Sequence, residues 1–288
     1  FRDVNTLEEP VPVHLAQAKC YAFIYGDQHE QEKMGVQMTY CHLETEEIRR
    51  FRQEYTIEEL REWFYGITDA YEKWALFQVE WREKRDASIK KVEFPYQYRE
   101  GQKKLAAAVY RTIERKKKLF IQAPTGVGKT MATVFPAVKA VGEGLADKLF
   151  YLTAKTITRT VARQAFDILK QPGPQGPDPG GEGEGGLQYK VITLTAKEKI
   201  CFCEKPECNP DYCPYAKGHF DRINDAVYEM ITTSDDMSRQ AVEEQAKKWQ
   251  VCPFELGLDL SLWADAVICD YNYVFDPNAK LKRFFGEG

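Results

Sequence analysis

No stretch of this chain is apolar for long enough to span a membrane, and no basic-then-apolar leader opens it, so neither a membrane role nor a secretory route is expected. We expect a cytoplasmic protein. Positive charge is not in excess: 40 Lys and Arg stand against 44 Asp and Glu, for a net charge of −4. A diffuse positive field therefore cannot account for any binding of nucleic acid, which would need local basic strips. No two cysteines have the CxxC spacing that zinc knuckles favour. No internal repeat is visible. The first residue is Phe1 rather than methionine, and the chain starts in sequence that reads as structured, as expected of a fragment.

What is present suits a globular protein of two domains, or of one domain with insertions. The 288 residues are 43% apolar, with long aromatic-rich runs able to build a core. Eight cysteines occur, and five of them crowd between Cys201 and Cys252. Disulfide staples would be spread through a small secreted fold; crowding within a larger chain points to metal.

Along the chain, residues His14 to Tyr25 read as a helix and Val36 to Tyr40 alternate as a strand does. Thr56 and Glu59 make a capping-box pattern before a long amphipathic helix. Its apolar stripe, Leu60, Trp63, Phe64, Ile67, Tyr71 and Trp74, is expected to pack in a core. A second helix carries Leu105, Val109 and Ile113 on one face and ends in Lys116 to Lys118. Strands and helices then alternate. "KLFIQA", "KLFYLTA" and "YKVITLTA" read as strands, with helices over Thr130 to Val141 and Thr158 to Leu169. That alternation predicts an α/β fold with a parallel sheet and crossover helices. Residues Gln171 to Gly186 are low-complexity, with little to bury, and read as a mobile surface insertion.

"QAPTGVGKT" lies between the first of these strands and a helix. A loop that grips a nucleoside polyphosphate needs this order, because the first N–H groups of the helix then face the anion. Ala123, Pro124, Thr125, Gly126, Val127 and Gly128 would form the turn, with both glycines letting the backbone curl close to phosphate. Lys129 would reach the β- and γ-phosphates of ATP, and the Thr130 hydroxyl would ligate Mg²⁺. Ala123 stands where the strict pattern has glycine, at a position that only begins the turn. Four thiolates from Cys201, Cys203, Cys208, Cys213 and Cys252 could hold an iron–sulfur cluster or a structural zinc. The irregular spacing favours the cluster.

"APTGVGKT" resembles motif I of superfamily 2 helicases. "YREGQ", Tyr98 to Gln102, resembles the adenine-reading motif upstream of it, and "FYLTAKT", Phe150 to Thr156, resembles motif Ia. "KEKIC", "CPYA" and "CPFEL" resemble the iron–sulfur insertion of XPD and DinG helicases. The resemblance implies a RecA-like P-loop motor domain. Gln102 would read adenine, while Thr153, Lys155 and Thr156 would touch the backbone of a DNA strand. Cys201, Cys208, Cys213 and Cys252 would hold a 4Fe-4S cluster, with Cys203 as the substitute. Lys155 as a solvated surface charge stays open. Lys217 to Arg222, "KGHFDR", reads either as a strand-binding edge or as an ordinary helix start.

Gln17 and Tyr21, spaced as QxxxY, resemble the helix that follows the catalytic centre of RecB-like PD-(D/E)XK nucleases; a core-facing tyrosine is the other reading. The implied plan is a partial nuclease-like module over 1–92, the motor domain over 93–200 with the flexible insert at 171–186, the iron–sulfur insertion over 201–252, and a return to the motor over 253–288. The carboxylate pair of a DEAH box is absent. Asp270 follows an apolar strand, but Tyr271 stands where a catalytic Glu would be, so the chain is expected to stop just before that box. Expected partners are single-stranded or forked DNA. The expected activity of the parent protein is 5′ to 3′ ATP-dependent unwinding in DNA repair or replication. Rival readings are a non-catalytic nucleotide- and DNA-binding fragment, a zinc-containing P-loop ATPase of another class, such as a transporter or a small-molecule kinase, and a nuclease accessory domain.

Overall fold

The computed structural model describes residues 4–124, 126–154, 156–171 and 186–286. Thr125, Lys155 and nearly all of the Gln171–Gly186 insertion lie outside them, as does the side chain of Thr156. The chain divides into two compact units, Phe1–Gln78 and Val79–Gly288.

In the first unit, α1 (Pro12–Gln28) starts with proline at its first position, where the missing N–H costs nothing. It is followed by the antiparallel hairpin β1 (Lys33–Cys41) and β2 (Ile48–Thr56). The long α2 (Ile57–Lys91) comes next, and the division between the units falls inside it. The capping box forms as expected. The Thr56 hydroxyl accepts from Glu59 N at 3.2 Å, and the Glu59 carboxylate accepts from Thr56 N at 2.8 Å. Ala22, Phe23, Val36, Ile57 and Leu60 make a small core. The expected stripe on α2 is buried only at its start: Ile67 and Tyr71 are exposed. Helical spacing shows that residues share a face, but not that anything covers the face.

The second unit holds α3 (Gln102–Glu114), α4 (Lys129–Gly142), β3 (Leu149–Thr153), α5 (Thr156–Lys170), β4 (Val191–Thr193) and α6 (Lys197–Ile200). After these come α7 (His219–Thr233), β5 (Asp236–Met237), α8 (Arg239–Trp249), α9 (Pro253–Trp263), β6 (Ala266–Asp270), α10 (Asn272–Phe275) and α11 (Lys282–Phe285). The sheet order is β3-β6-β4-β5, and every described pairing in it is parallel. This is the α/β class that the alternation predicts, a parallel sheet with crossover helices.

Met131, Val134, Val138 and Val141 line one face of α4, and Ala162, Ala165, Phe166 and Leu169 one face of α5. Both faces pack with Val191, Ala266 and Ile268 of the sheet. Each large side chain buried there contributes about 1.5–3 kcal/mol.

One expected strand does not form. "KLFIQA", Lys118 to Ala123, is in neither a strand nor a helix, and Phe120 is 94% exposed. A parallel strand exists through its neighbours, and this segment pairs with none among the described strands.

A buried carboxylate ties the sheet to the second half of α2. Asp265, 4% exposed, accepts from Trp81 Nε1 at 3.0 Å, the Arg85 guanidinium at 2.9 Å and Lys190 N at 2.8 Å. Burial pushes its carboxyl upward, and these donors pull against that. Lys190, itself 2% exposed, pairs with Asp235 at 2.7 Å and lies over the Trp81 ring. On α7, Glu229 is held down to about 2 by bonds from Lys248, Trp249 and Gln245.

Candidate functional site

Three groups of predicted residues fall at three separate places in the second unit. The first is the loop before α4. Gly126 and Gly128 have φ of 86° and 72°, the left-handed region that suits glycine, and Gly128 is the N-cap of α4. Lys129 is the first residue of the helix. Its Nζ donates to the carbonyls of Ala123 and Pro124, both at 2.9 Å, so the loop closes on its own lysine. Thr130 is half-buried one position on. Beside the loop is a cleft of about 610 Å³, lined by Gln102, Leu105, Phe120, Ile121, Gln122, Ala123, Pro124 and Val127 among others. Gln102 is 4% exposed, and its amide is engaged: Oε1 accepts from Arg99 N at 3.0 Å, and Nε2 donates to Gly128 O at 3.3 Å. Arg99 also donates through its guanidinium to Gly126 O. Arg99 was not singled out from the sequence, although it sits within "YREGQ".

The second place is the C-terminal end of the sheet, where open α/β folds bind ligands. Thr153 ends β3 and Asp270 ends β6, opposite each other in the register. With Ala154, Arg159, Lys199, Tyr271 and Asn272 they line a cleft of about 500 Å³. One guanidinium nitrogen of Arg159 meets both oxygens of Asp270, at 3.0 and 2.8 Å. Asp270 is thus committed to an arginine. Thr153 Oγ1 and Arg159 Nε are buried with no hydrogen-bond partner among the described residues. A hydroxyl that can donate and an N–H left without an acceptor make a place suited to an oxyanion. Arg159, Lys199 and Asn272 escaped the sequence reading because each is ordinary in its own segment.

The third place is the cysteine cavity. Cys201, Cys203, Cys208, Cys213 and Cys252 all line it, together with Lys197. Cys203 and Cys213 bring their sulfurs to 3.8 Å, and burial pushes the Cys203 thiol up to about 11. Lys197 is raised by its hydrogen bond with Cys208. Cys252 is the N-cap of α9, and its N–H donates to Nδ1 of the buried His219 at 3.3 Å. Among the described residues no three His, Cys, Asp or Glu side chains converge as ligands of a single ion. The five thiols line one cavity without forming such a ligand set.

Nearby, Phe220 is 87% exposed, while Arg222 donates to the carbonyls of Lys217, Trp249 and Gln250 and so secures the start of α7. In the first unit, Gln17 Nε2 donates to the Tyr21 hydroxyl at 3.4 Å.

Residues 99–179 match the DEAD/DEAH box helicase family. A 49-residue stretch is 45% identical to a probable ATP-dependent helicase of Methanocaldococcus jannaschii, covering 17% of this chain and 8% of that protein. Among solved structures, an XPD helicase is similar over 67% of this chain and 30% of its own, at 17% identity and a TM-score of 0.40. A truncated XPD is similar over 64% and 48%, at 14% identity and a TM-score of 0.41. Those two values are too low to carry a fold argument. The match spans less than a tenth of the curated relative and less than half of either structure.

Proposed function

We propose that this chain belongs to an ATP-dependent DNA helicase of the XPD/DinG type. In this reading Val79–Gly288 supplies part of its first motor domain and the cysteine-rich insertion. The observation that carries the reading is the glycine-bounded loop that ends in Lys129 at the first turn of α4, inside the segment that matches DEAD/DEAH box helicases. ATP would lie along this loop. Lys129 would leave the Ala123 and Pro124 carbonyls for the β- and γ-phosphates, and the Thr130 hydroxyl would hold Mg²⁺, which screens the polyphosphate charge. Gln102 would face the base. Thr153, with Lys155 and Thr156 beside it in sequence, would meet the backbone of a single or forked strand. The donors left without partners at Thr153 and Arg159 support this. Unwinding from 5′ to 3′, a role in repair or replication, and a nuclease-like first unit around Gln17 and Tyr21 complete the proposal.

The test is equilibrium binding of a labelled single-stranded oligonucleotide and of Mg·ATP to this chain. Affinity for the oligonucleotide should fall steeply with salt. Because Lys199 is an exposed cation on the second cleft, Lys199→Ala should reduce the slope of log K against log salt by about one. A slope unchanged by Lys199→Ala would move the strand to another surface.

For the cysteine cavity we propose a 4Fe-4S cluster held by Cys201, Cys208, Cys213 and Cys252. Five thiols around one cavity support it, as does their irregular spacing in sequence, with no CxxC pair of the zinc-knuckle kind. Such a cluster would fix α6 and the start of α9 to one point. Protein purified without oxygen should be brown, with about four irons per chain, and Cys213→Ser should be colourless. A colourless wild-type chain with one zinc would assign the cavity to zinc.

A further inference from the structure

The phosphate loop does not hold its shape alone. Arg99 and Gln102 are bonded to each other twice: Gln102 N donates to Arg99 O at 3.0 Å, and Arg99 N donates to Gln102 Oε1 at 3.0 Å. From this small ring two donors reach the loop. The Arg99 guanidinium meets Gly126 O, and Gln102 Nε2 meets Gly128 O at 3.3 Å. The two accepting carbonyls are two residues apart, on the two glycines whose positive φ shapes the turn.

We propose that Arg99 and Gln102 form a clasp on the carbonyl edge of the loop, and that this clasp sets its N–H edge for a polyphosphate. Peptide planarity links the two edges of the loop. In a trans peptide the C=O and the following N–H point in opposite directions. Holding Gly126 O and Gly128 O on one side therefore sends the N–H groups of Val127 and Lys129 to the other. An anion-binding loop needs its N–H groups turned inward together, and an unheld glycine-rich turn samples many peptide orientations. The clasp removes that freedom before the ligand arrives, which is how preorganisation adds affinity.

Gln102 is then a positioning residue for the phosphates rather than a base reader alone. It is 4% exposed, and a Cβ on Gly128 would stand 2.4 Å from its Nε2, so the amide is seated directly against the loop. Arg99 is exposed and positions the loop from its other glycine.

This inference rests on the nucleotide reading above and is tested so that the two fail separately. Binding of inorganic tripolyphosphate and of ATP, each with Mg²⁺, is measured on this chain for wild type, Arg99→Ala, Arg99→Lys and Gln102→Ala. Arg99→Ala should weaken both ligands by about tenfold and by equal factors, with Arg99→Lys in between, and Gln102→Ala should weaken tripolyphosphate by about tenfold and ATP by at least as much. Melting of each variant is recorded alongside. If buried Gln102→Ala unfolds, Arg99→Ala alone decides, because its side chain lies at the surface. Arg99→Ala that binds tripolyphosphate as wild type does would overturn the clasp. So would Gln102→Ala that loses ATP but keeps tripolyphosphate, since that is the signature of base reading only. A wild-type chain that binds neither ligand removes the nucleotide site itself.

Discussion

Lys129→Ala is expected to weaken Mg·ATP binding by about 10- to 100-fold and, in the whole protein, to cut ATP hydrolysis by about 10²- to 10³-fold. The lysine is the first residue of α4, where the unpaired N–H groups of the helix already favour an anion. In the proposed role its ammonium would add the mobile charge that follows the γ-phosphate as negative charge redistributes during transfer. Alanine removes this and leaves the loop backbone in place. Lys129 is exposed, and its present acceptors are loop carbonyls, so stability should move by no more than about 0.5 kcal/mol. The loss should therefore appear in titration calorimetry and in turnover, but not in the melt. Unaltered affinity in a chain that melts as wild type does would place the nucleotide elsewhere. Lys129→Arg should rescue little, because a guanidinium fork is wider than the point charge the turn is shaped for.

Asp265→Ala should have the opposite profile, with a large loss of stability and no direct effect on any ligand. Its carboxylate answers Trp81 Nε1, Arg85 and Lys190 N at once, and the Arg85 side chain is only 10% exposed. Removing the acceptor strands a buried guanidinium, left among the described residues with Asp86 at 2.8 Å, together with a buried backbone N–H. Breaking one side of a buried pair costs about 3–5 kcal/mol, and for a unit of this size that lowers the melting temperature by about 10 °C. Asp265→Asn should fall between, because its amide oxygen satisfies one donor while its NH₂ faces another. Trp81 lies against the site, so its fluorescence reports the transition directly. A variant melting within about 2 °C of wild type would show that the network is dispensable.

Both residues belong to the same unit, yet only Lys129 could be read from the chain. The loop is local: two glycines, a lysine and a helix start within nine residues carry their geometry in their own φ preferences. The capping box at Thr56 and Glu59 is legible for the same reason. The Asp265 network joins positions about 180 residues apart, and nothing in "WADAVICD" marks that aspartate for Trp81 and Arg85. Arg159 and Asp270, 111 positions apart, are hidden in the same way. "KLFIQA" shows the converse error. Leu119, Phe120 and Ile121 have the composition of a buried strand, but pairing is a property of neighbours, and the described sheet offers none. On α2, Ile67 and Tyr71 keep the period of a core stripe while facing solvent. The cysteines fall in between. Their crowding in sequence does become crowding around one cavity, whereas the choice among five of them is a matter of tertiary placement.

Position 128 is closed to change from two directions. Its backbone sits where a β-carbon is disfavoured, and the space that carbon would need is taken by the Gln102 amide. A side chain at 128 would need the Gln102 amide to give way as well as a strained backbone, whereas 102 can shrink without asking anything of 128. Among all the residues of the loop, this is where natural variation should be poorest and where a randomised library should return a single answer.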